Sequence, residues 1–394
     1  MPLAFAALPV YVHVPRFYAQ ATGMDLAMLG ATLLGARLFD AVIDPWLGWL
    51  ADRVSRRRMV VLALVPFTAG FAALLHPPPV GTTIWLLCSL VVTYVGFSAA
   101  SVAYQAWGAS VGTDSRMRTR LTAAREGFGL IGVVVAAALP ALLASEMNSG
   151  IARLAWVLPA LLLPAAVLLL SFVDAERSAP PPHQALLASL RRALTDLAFR
   201  RLLLVFVANG ISAALPATLF LFFVADVLQQ EAASGLLLAL HFIAGAASMP
   251  LWVWLAARAG RMRVWLAAMG LSIVAFAGAG FLGPGDLTHF ALICLASGIA
   301  LGADLALPAA MAADLSERQG QPGACFGVWN FVAKLNLALA AGLSLPLLAW
   351  LGYAPGSGDS LTALRMAYAL LPVSFKVFAG ALLWRWRRDL EIRT

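Results

Sequence analysis

The chain has 394 residues, of which 62% are hydrophobic and 12% charged, with a mean hydropathy of +0.86 and a formal charge of +8. Soluble domains carry about a quarter charged residues, so this composition excludes an ordinary water-soluble globule and assigns most of the chain to lipid. The sequence has no G-x-x-x-x-G-K loop, which excludes ATP-driven work within this chain, and its basic residues come with no nucleic-acid motif.

Taken in chain order, twelve apolar stretches reach the roughly 20 residues that a spanning helix needs. They lie near 2–22, 26–51, 59–76, 82–111, 121–145, 152–173, 201–228, 232–257, 263–282, 287–313, 324–351 and 363–386. The first has no basic leader and no small-residue cleavage site, so it reads as a span rather than a removable signal. Cys88, Cys294 and Cys325 sit in apolar segments at unrelated positions and read as small core residues. The even-numbered connections and the C-terminal tail hold twenty arginines, and the odd-numbered connections hold none. By the positive-inside rule, the even connections and both termini are expected in the cytoplasm of a plasma (inner) membrane. The same basic faces suit anionic lipid headgroups.

The longest polar stretch, residues 174–200, divides the chain into an N-terminal half (1–173) and a C-terminal half (201–394), each with six stretches. An internal echo supports this division. "WLADRVSRRR" (Trp49 to Arg58) and "WLAARAGRMR" (Trp254 to Arg263) match in phase at an offset of 205 residues, each between the second and third stretch of its half. The expected architecture is an all-α, multi-spanning membrane protein of two six-helix halves with a path between them, the plan of major facilitator transporters.

The second stretch contains "RLFDAVIDPW", which places Arg37, Asp40 and Asp44 within eight residues. On a helix the two acids lie one turn apart on one face, with Arg37 a turn before them. A charge facing lipid costs about 3 kcal/mol or more, so these side chains are expected to face the protein interior. Two adjacent carboxylates can coordinate a small cation such as Na⁺, or share a proton, because like charges that close resist joint ionisation. A structural ion pair between Arg37 and Asp40 is the competing reading. Pro45 lacks an N–H and leaves a backbone carbonyl beside the acids as a further ligand.

"ARLFDAVIDPWLGWLADR" resembles the second-helix signature of the glycoside–pentoside–hexuronide:cation symporters, the melibiose-permease group of the major facilitator superfamily. "AYQAWGASVGTDSRMRTRLTAAR", "GADLALPAAMAADL" and "FGVWNFVAKLNLALAAGL" resemble further segments of that family, and the likeness extends over nearly the whole chain. The resemblance implies a cation-coupled symporter in which Asp40 and Asp44 bind Na⁺, Li⁺ or H⁺, with Ser98 at a polar position of the cation site and Lys334 at the position of a nearby lysine. It also implies that Asp52 and Arg53 belong to a gating loop in which an acid caps a neighbouring helix; Arg37 joins them as a gating residue. The departures concern the substrate. The first stretch has no acid and carries Arg16, and the acid position of the fourth stretch falls on Ser101. The cation machinery therefore looks kept and the pair that holds sugar hydroxyls looks lost.

Lysine usage bears on Lys334 independently. The chain has 25 arginines and two lysines, Lys334 and Lys376, both inside apolar stretches. A buried lysine can exchange a proton, whereas arginine cannot. Candidate substrate contacts are Tyr11, Arg16, Ser101, Tyr104, Gln105, Arg125, Asp304, Trp329 and Asn330. Aromatic packing competes for Tyr11, Tyr104 and Trp329. Gly302 and Pro308 are expected to break the tenth stretch beside Asp304, and broken half-helices line transport sites. Asp226 reads as a solvated helix end, and Asn209, Asn330 and Asn336 as interhelical contacts or ligands in equal measure. His13, His241 and His289 have no metal-ligand spacing.

The expected function is a Na⁺- or H⁺-coupled secondary transporter of a small solute, a sugar or glycoside if the family's habit holds. The alternatives are a non-sugar transporter of the same fold (for an organic anion, or a lipid-like or drug-like solute) and a non-transporting scaffold or receptor. No catalytic cluster points to an enzyme. The expectation includes no cofactor beyond the coupling ion, a lipid bilayer and a small solute as partners, no nucleic acid, and a monomer.

Overall fold

The computed structural model describes residues 1–15, 17–18, 24–78, 80–144, 147–173, 185–353 and 360–390. Arg16 lies outside them, as does the side chain of Tyr11. The described residues are helices and their connections, with no strand among them. The order is α1 (Pro2–Leu8, continued by a π turn Pro9–His13), α2 (Leu26–Ala51), α3 (Arg56–Leu74), α4 (Thr82–Val111), α5 (Ser115–Leu143), α6 (Met147–Phe172), α7 (Leu186–Thr195), α8 (Leu197–Phe222, continued by a π turn Phe223–Val227), α9 (Ser234–Ala259), α10 (Arg261–Ala279), α11 (Leu287–Gln319), α12 (Pro322–Trp350), α13 (Leu361–Arg385) and α14 (Arg387–Leu390).

Local chemistry sets the helix starts. Asp25, Ser55 and Asp196 stand at the N-caps of α2, α3 and α8, and each accepts the backbone N–H three residues on. Asp114 does the same for Met117 at the start of α5, at 2.6 Å. Gly260, at φ +85°, alone separates α9 from α10, a left-handed position that suits glycine. Among the described residues, ten helices are long and apolar enough to cross a membrane by length and composition. The other two expected stretches are α2, 26 residues long with three charged side chains within it, and the N-terminal α1 with its π turn.

Contacts divide the chain into two compact units. The first comprises Met1–Thr113, Phe128–Leu194 and Ala313–Phe331, and the second Asp114–Gly127, Thr195–Ala312 and Val332–Thr394. The N-terminal part of α5 thus belongs with the second unit. The end of α11 and the first ten residues of α12 belong with the first. In the first unit, α4 packs along α3 and α2 around a core that includes Phe5, Phe67, Phe71, Leu86 and Tyr94. In the second, α13 packs along α8 and α10, and an aromatic stack of Phe223, Tyr368 and Phe290 fills the core. Leu62, Ile84, Phe172, Leu236 and Val274 point outward, as apolar side chains do where the solvent is lipid.

The sequence echo has a structural counterpart. The Arg53 guanidinium lies 3.7 Å from the Trp49 ring centroid, and Arg258 lies 3.8 Å from Trp254, the same i, i+4 stack in each repeat. Three expectations need correction. The helix carrying Asp304 is not broken: α11 runs unbroken for 33 residues through Gly302 and Pro308. Gly302 serves close packing, because a Cβ there would lie 2.3 Å from Ser248 Oγ and 2.8 Å from the Gly245 carbonyl of α9. Cys88 is exposed; an outward face in lipid is as apolar as a core, so composition does not distinguish them. Asp226 accepts a hydrogen bond from the Tyr353 hydroxyl and is not a bare solvated end.

Candidate functional site

The first candidate site is built on the middle of α2. Asp40 is 2% exposed and Asp44 is fully buried, one helical turn apart. Ser98 of α4, itself buried, donates from Oγ to Asp40 Oδ1 at 2.7 Å. Pro45 offers no N–H to the Ala41 carbonyl one turn back, leaving that oxygen without its usual helical donor. Two carboxylates, a hydroxyl and a carbonyl are the hard oxygen donors that an alkali cation takes, and the paired carboxylates are equally suited to share a proton. Arg37, a turn before Asp40, is exposed and hydrogen-bonds with the Tyr94 hydroxyl on α4.

Immediately beyond lies a backbone-to-backbone contact between α2 and the start of α12. Gly48, Gly323 and Gly327 leave no space for a side chain. A Cβ on Gly48 would lie 2.3 Å from the Gly323 carbonyl, and one on Gly327 would lie 2.6 Å from the Asp44 carbonyl. Asp52, the C-cap of α2, completes the contact. Its Oδ1 and Oδ2 accept the N–H groups of Gly323 and Ala324, each at 2.7 Å. These are free donors in the first turn of α12, at the positive end of its dipole, with Pro322 opening the helix. Arg56 donates to Asp52 Oδ1 at 3.2 Å and to the Ala106 carbonyl at 3.5 Å. Burial pushes the Asp52 carboxyl above the usual carboxylate range, while the Ala324 N–H, the Arg56 guanidinium and the Gly323 N–H pull it down. Arg53 turns elsewhere: it stacks on Trp49 and donates to the Trp49 carbonyl. Sequence alone marks Arg53, but Arg56 is the buried arginine, and its i, i+4 spacing from Asp52 is the signal that could have found it.

The candidate substrate residues divide between the units. Ser101, Tyr104, Gln105, Trp329 and Asn330 belong to the first, with Trp329 buried and the others half-buried. Gln105 Oε1 is buried and accepts no hydrogen bond among the described residues. Arg125 and Asp304 belong to the second unit. Arg125 Nε donates to the adjacent Glu126 carboxylate at 3.0 Å. Lys334 is half-buried on α12, also in the second unit. Asp304 forms a buried cluster that sequence reasoning does not assemble: Lys376 Nζ donates to Asp304 Oδ2 at 2.6 Å and to Asn209 Oδ1 at 2.9 Å, and Trp265 Nε1 donates to Asp304 Oδ1 at 2.8 Å. Asn336 donates to the Phe206 carbonyl between α12 and α8 at 3.4 Å, an interhelical tie. Among the described residues no group of three or more His, Cys, Asp or Glu is placed to hold a metal ion.

The family pattern described as MFS/sugar transport protein matches residues 2–389, nearly the whole chain. The chain belongs to that family. This transporter shares 28% identity over 167 residues with a protein named "Uncharacterized symporter YnaJ" of Bacillus subtilis (strain 168). The match covers 40% of the chain and 35% of that relative, so the chain spans about a third of the curated relative's length. Solved structures share the fold at low identity. A bacterial homologue of the iron transporter ferroportin, outward-facing with soaked iron, aligns over 98% of this chain and 96% of its own with a TM-score of 0.75 and 15% identity. The fucose:proton symporter FucP of E. coli aligns over 97% of this chain and 96% of its own with a TM-score of 0.73 and 16% identity. The human organic anion transporter MFSD10 (TETRAN) aligns over 97% and 96% with a TM-score of 0.65 and 18% identity. The family and the fold are those of multi-pass membrane transporters.

Proposed function

We propose that this transporter is a cation-coupled symporter of a small solute, working by alternating access of two six-helix halves, residues 1–173 and 201–394, joined by 174–200. The observation that carries the reading is the Asp40–Asp44 pair, one turn apart and buried, with Ser98 bonded to Asp40. Two acids withdrawn from water at this depth are costly unless they bind something. The word "symporter" in the relative's name points the same way. The coupling ion is Na⁺ or H⁺, and no organic cofactor is needed. The acid-free first stretch and Ser101 favour a solute other than a galactoside-like sugar. Thermal unfolding of the purified protein across a metabolite panel tests this reading. At least one solute should raise the midpoint, and by more in Na⁺ or at acid pH than without them. A solute whose effect ignores both ions would contradict the coupling.

We place the protein in the plasma (inner) membrane as a monomer with both termini in the cytoplasm. Single cysteines replacing Ser55, Ser115 and Ser178 should then be labelled only from the cytoplasmic side, and those replacing Thr22, Asn148 and Ser357 only from outside. Outside labelling at Ser115 would overturn the twelve-span topology that the arginine asymmetry supports.

Lys334 enters this reading as an internal cation that a coupling ion displaces. Lys334→Arg keeps the charge but cannot release a proton, so it should stop ion-coupled binding of the solute. Lys334→Ala should shift preference from Na⁺ toward protons, because it removes the positive charge that the family resemblance assigns to the cation site. Ion-dependent stabilisation measured across pH in both variants checks this; wild-type behaviour in both would remove Lys334 from the mechanism.

A further inference from the structure

The second unit holds an ion pair that the proposed coupling scheme does not use. Lys376 is 2% exposed and Asp304 is 8% exposed. Replacing such a buried pair by apolar side chains of similar size is often neutral or stabilising, because desolvation consumes the Coulomb gain. Simple interhelical adhesion is therefore a poor account of it. The two partners are held differently. Asp304 is fixed through both oxygens, by Trp265 of α10 and Lys376 of α13. Lys376 sits on a flexible side chain and commits two of its three N–H donors, to Asp304 and to Asn209 of α8.

Both residues border a cavity of about 90 Å³ in the same unit. Phe220, Phe276 and Tyr368 supply apolar wall, and Ser272, Ser297 and His241 supply hydrogen-bonding groups. His241 of α9, Cys294 of α11 and Tyr368 of α13 are its other titratable lining groups, and Asp304 and Lys376 are its formally charged ones. The His241 ring nitrogen Nδ1 is already engaged by the Cys294 carbonyl at 3.2 Å and Ser297 Oγ at 3.1 Å.

We propose that this cavity binds a small monocarboxylate together with one proton, Lys376 taking the carboxylate and Asp304 the proton. Charge balance dictates the pairing. The ion pair as it stands is neutral. An anion alone would leave the buried site at −1, and a proton alone would leave it at +1, each costly in a low dielectric. Entering together, they keep it neutral. The proton goes to Asp304 Oδ2, the oxygen that the ammonium leaves. The ammonium keeps Asn209 and turns the freed N–H and its third donor to the carboxylate, while Trp265 continues to hold Asp304 Oδ1. No bond other than the transferred O–H forms, and no oxidant or reductant is needed. This site is independent of the Asp40–Asp44 reading.

The test is thermal unfolding of the purified full chain at fixed Na⁺, with propionate as the anionic probe and propionamide as its neutral isostere, at about pH 5.5 and about pH 7.5. Propionate should stabilise the wild type, with an apparent Kd about tenfold weaker for each pH unit over which binding takes up one proton. Propionamide should show no pH dependence. Asp304→Asn mimics the protonated acid and should bind propionate equally at both pH values; if His241 carried the pH dependence, it would persist in that variant. Lys376→Met should abolish propionate binding. The double variant Asp304→Asn/Lys376→Met leaves no unpaired buried charge, so it stays informative if either single variant fails to fold, and it should not respond to propionate. No propionate effect in the wild type, retained pH dependence in Asp304→Asn, or a propionate effect in Lys376→Met or in the double variant would each overturn the proposal.

Discussion

Replacing Asp44 by asparagine is expected to abolish stabilisation of the protein by its coupling ion while leaving a folded membrane protein. Asp44 is fully buried on α2, and asparagine matches its shape. The substitution removes one of two negative charges from the pair, so a bound Na⁺ loses half of its charge compensation and a shared proton loses one of its two sites. Ligand at about a hundred times its Kd stabilises a protein by roughly 2.7 kcal/mol, and this whole increment should vanish. Asp40→Asn should weaken it less, because asparagine retains an acceptor oxygen for the Ser98 hydroxyl that now holds Asp40 at 2.7 Å. The ion-free variants should be as stable as the wild type or more so, since removing one of two neighbouring carboxylates relieves like-charge repulsion.

The second large effect is expected at the contact between α2 and α12. Asp52→Ala removes the acceptor from the Gly323 and Ala324 N–H groups and leaves Arg56, 6% exposed, without its carboxylate. Breaking a buried pair from one side costs about 3–5 kcal/mol. Gly48→Val attacks the same contact sterically. Its Cβ would meet the Gly323 carbonyl at 2.3 Å and the Gly327 Cα at 2.9 Å, both backbone atoms that cannot turn away. In either variant the contact should part. Cys325, 1% exposed and next to Ala324, reports on this directly. With Cys88 and Cys294 replaced by serine, Cys325 should resist a maleimide in the wild-type background and react in Asp52→Ala and Gly48→Val. Equal protection in all three would show that α12 is held without this contact.

Much of this is legible in the sequence because membranes make few things permissible. Apolar runs of spanning length become the long helices α2 through α6 and α8 through α13, with ends that differ by at most about six residues, and the cost of a charge in lipid requires Asp40 and Asp44 to be buried. The W-L-A-x-R echo locates two equivalent turns, each with its arginine stacked on its tryptophan. Other features have no sequence signal. Lys376 and Asp304 are 72 residues apart, and no periodicity joins them. Gly48, Gly323 and Gly327 are silent until two backbones meet over them. In the run Arg56 to Arg58, three identical side chains differ only in what they touch: Arg56 reaches Asp52 and Arg57 the Leu170 carbonyl. Pro308 reads as a helix break, yet α11 carries it without interruption, because packing on both sides decides whether a proline ends a membrane helix.

We propose above all that the buried Asp40–Asp44 pair binds the coupling cation. Its most direct test is the unfolding midpoint of the purified wild type and Asp44→Asn in Na⁺, Li⁺ and choline at constant ionic strength, with proton uptake recorded across the acid range. Na⁺ and Li⁺ should raise the wild-type midpoint above choline, or the wild type should take up a proton that Asp44→Asn does not, and Asp44→Asn should lose whichever response the wild type shows. A wild type indifferent to all three cations, with proton uptake identical to that of Asp44→Asn, would contradict it.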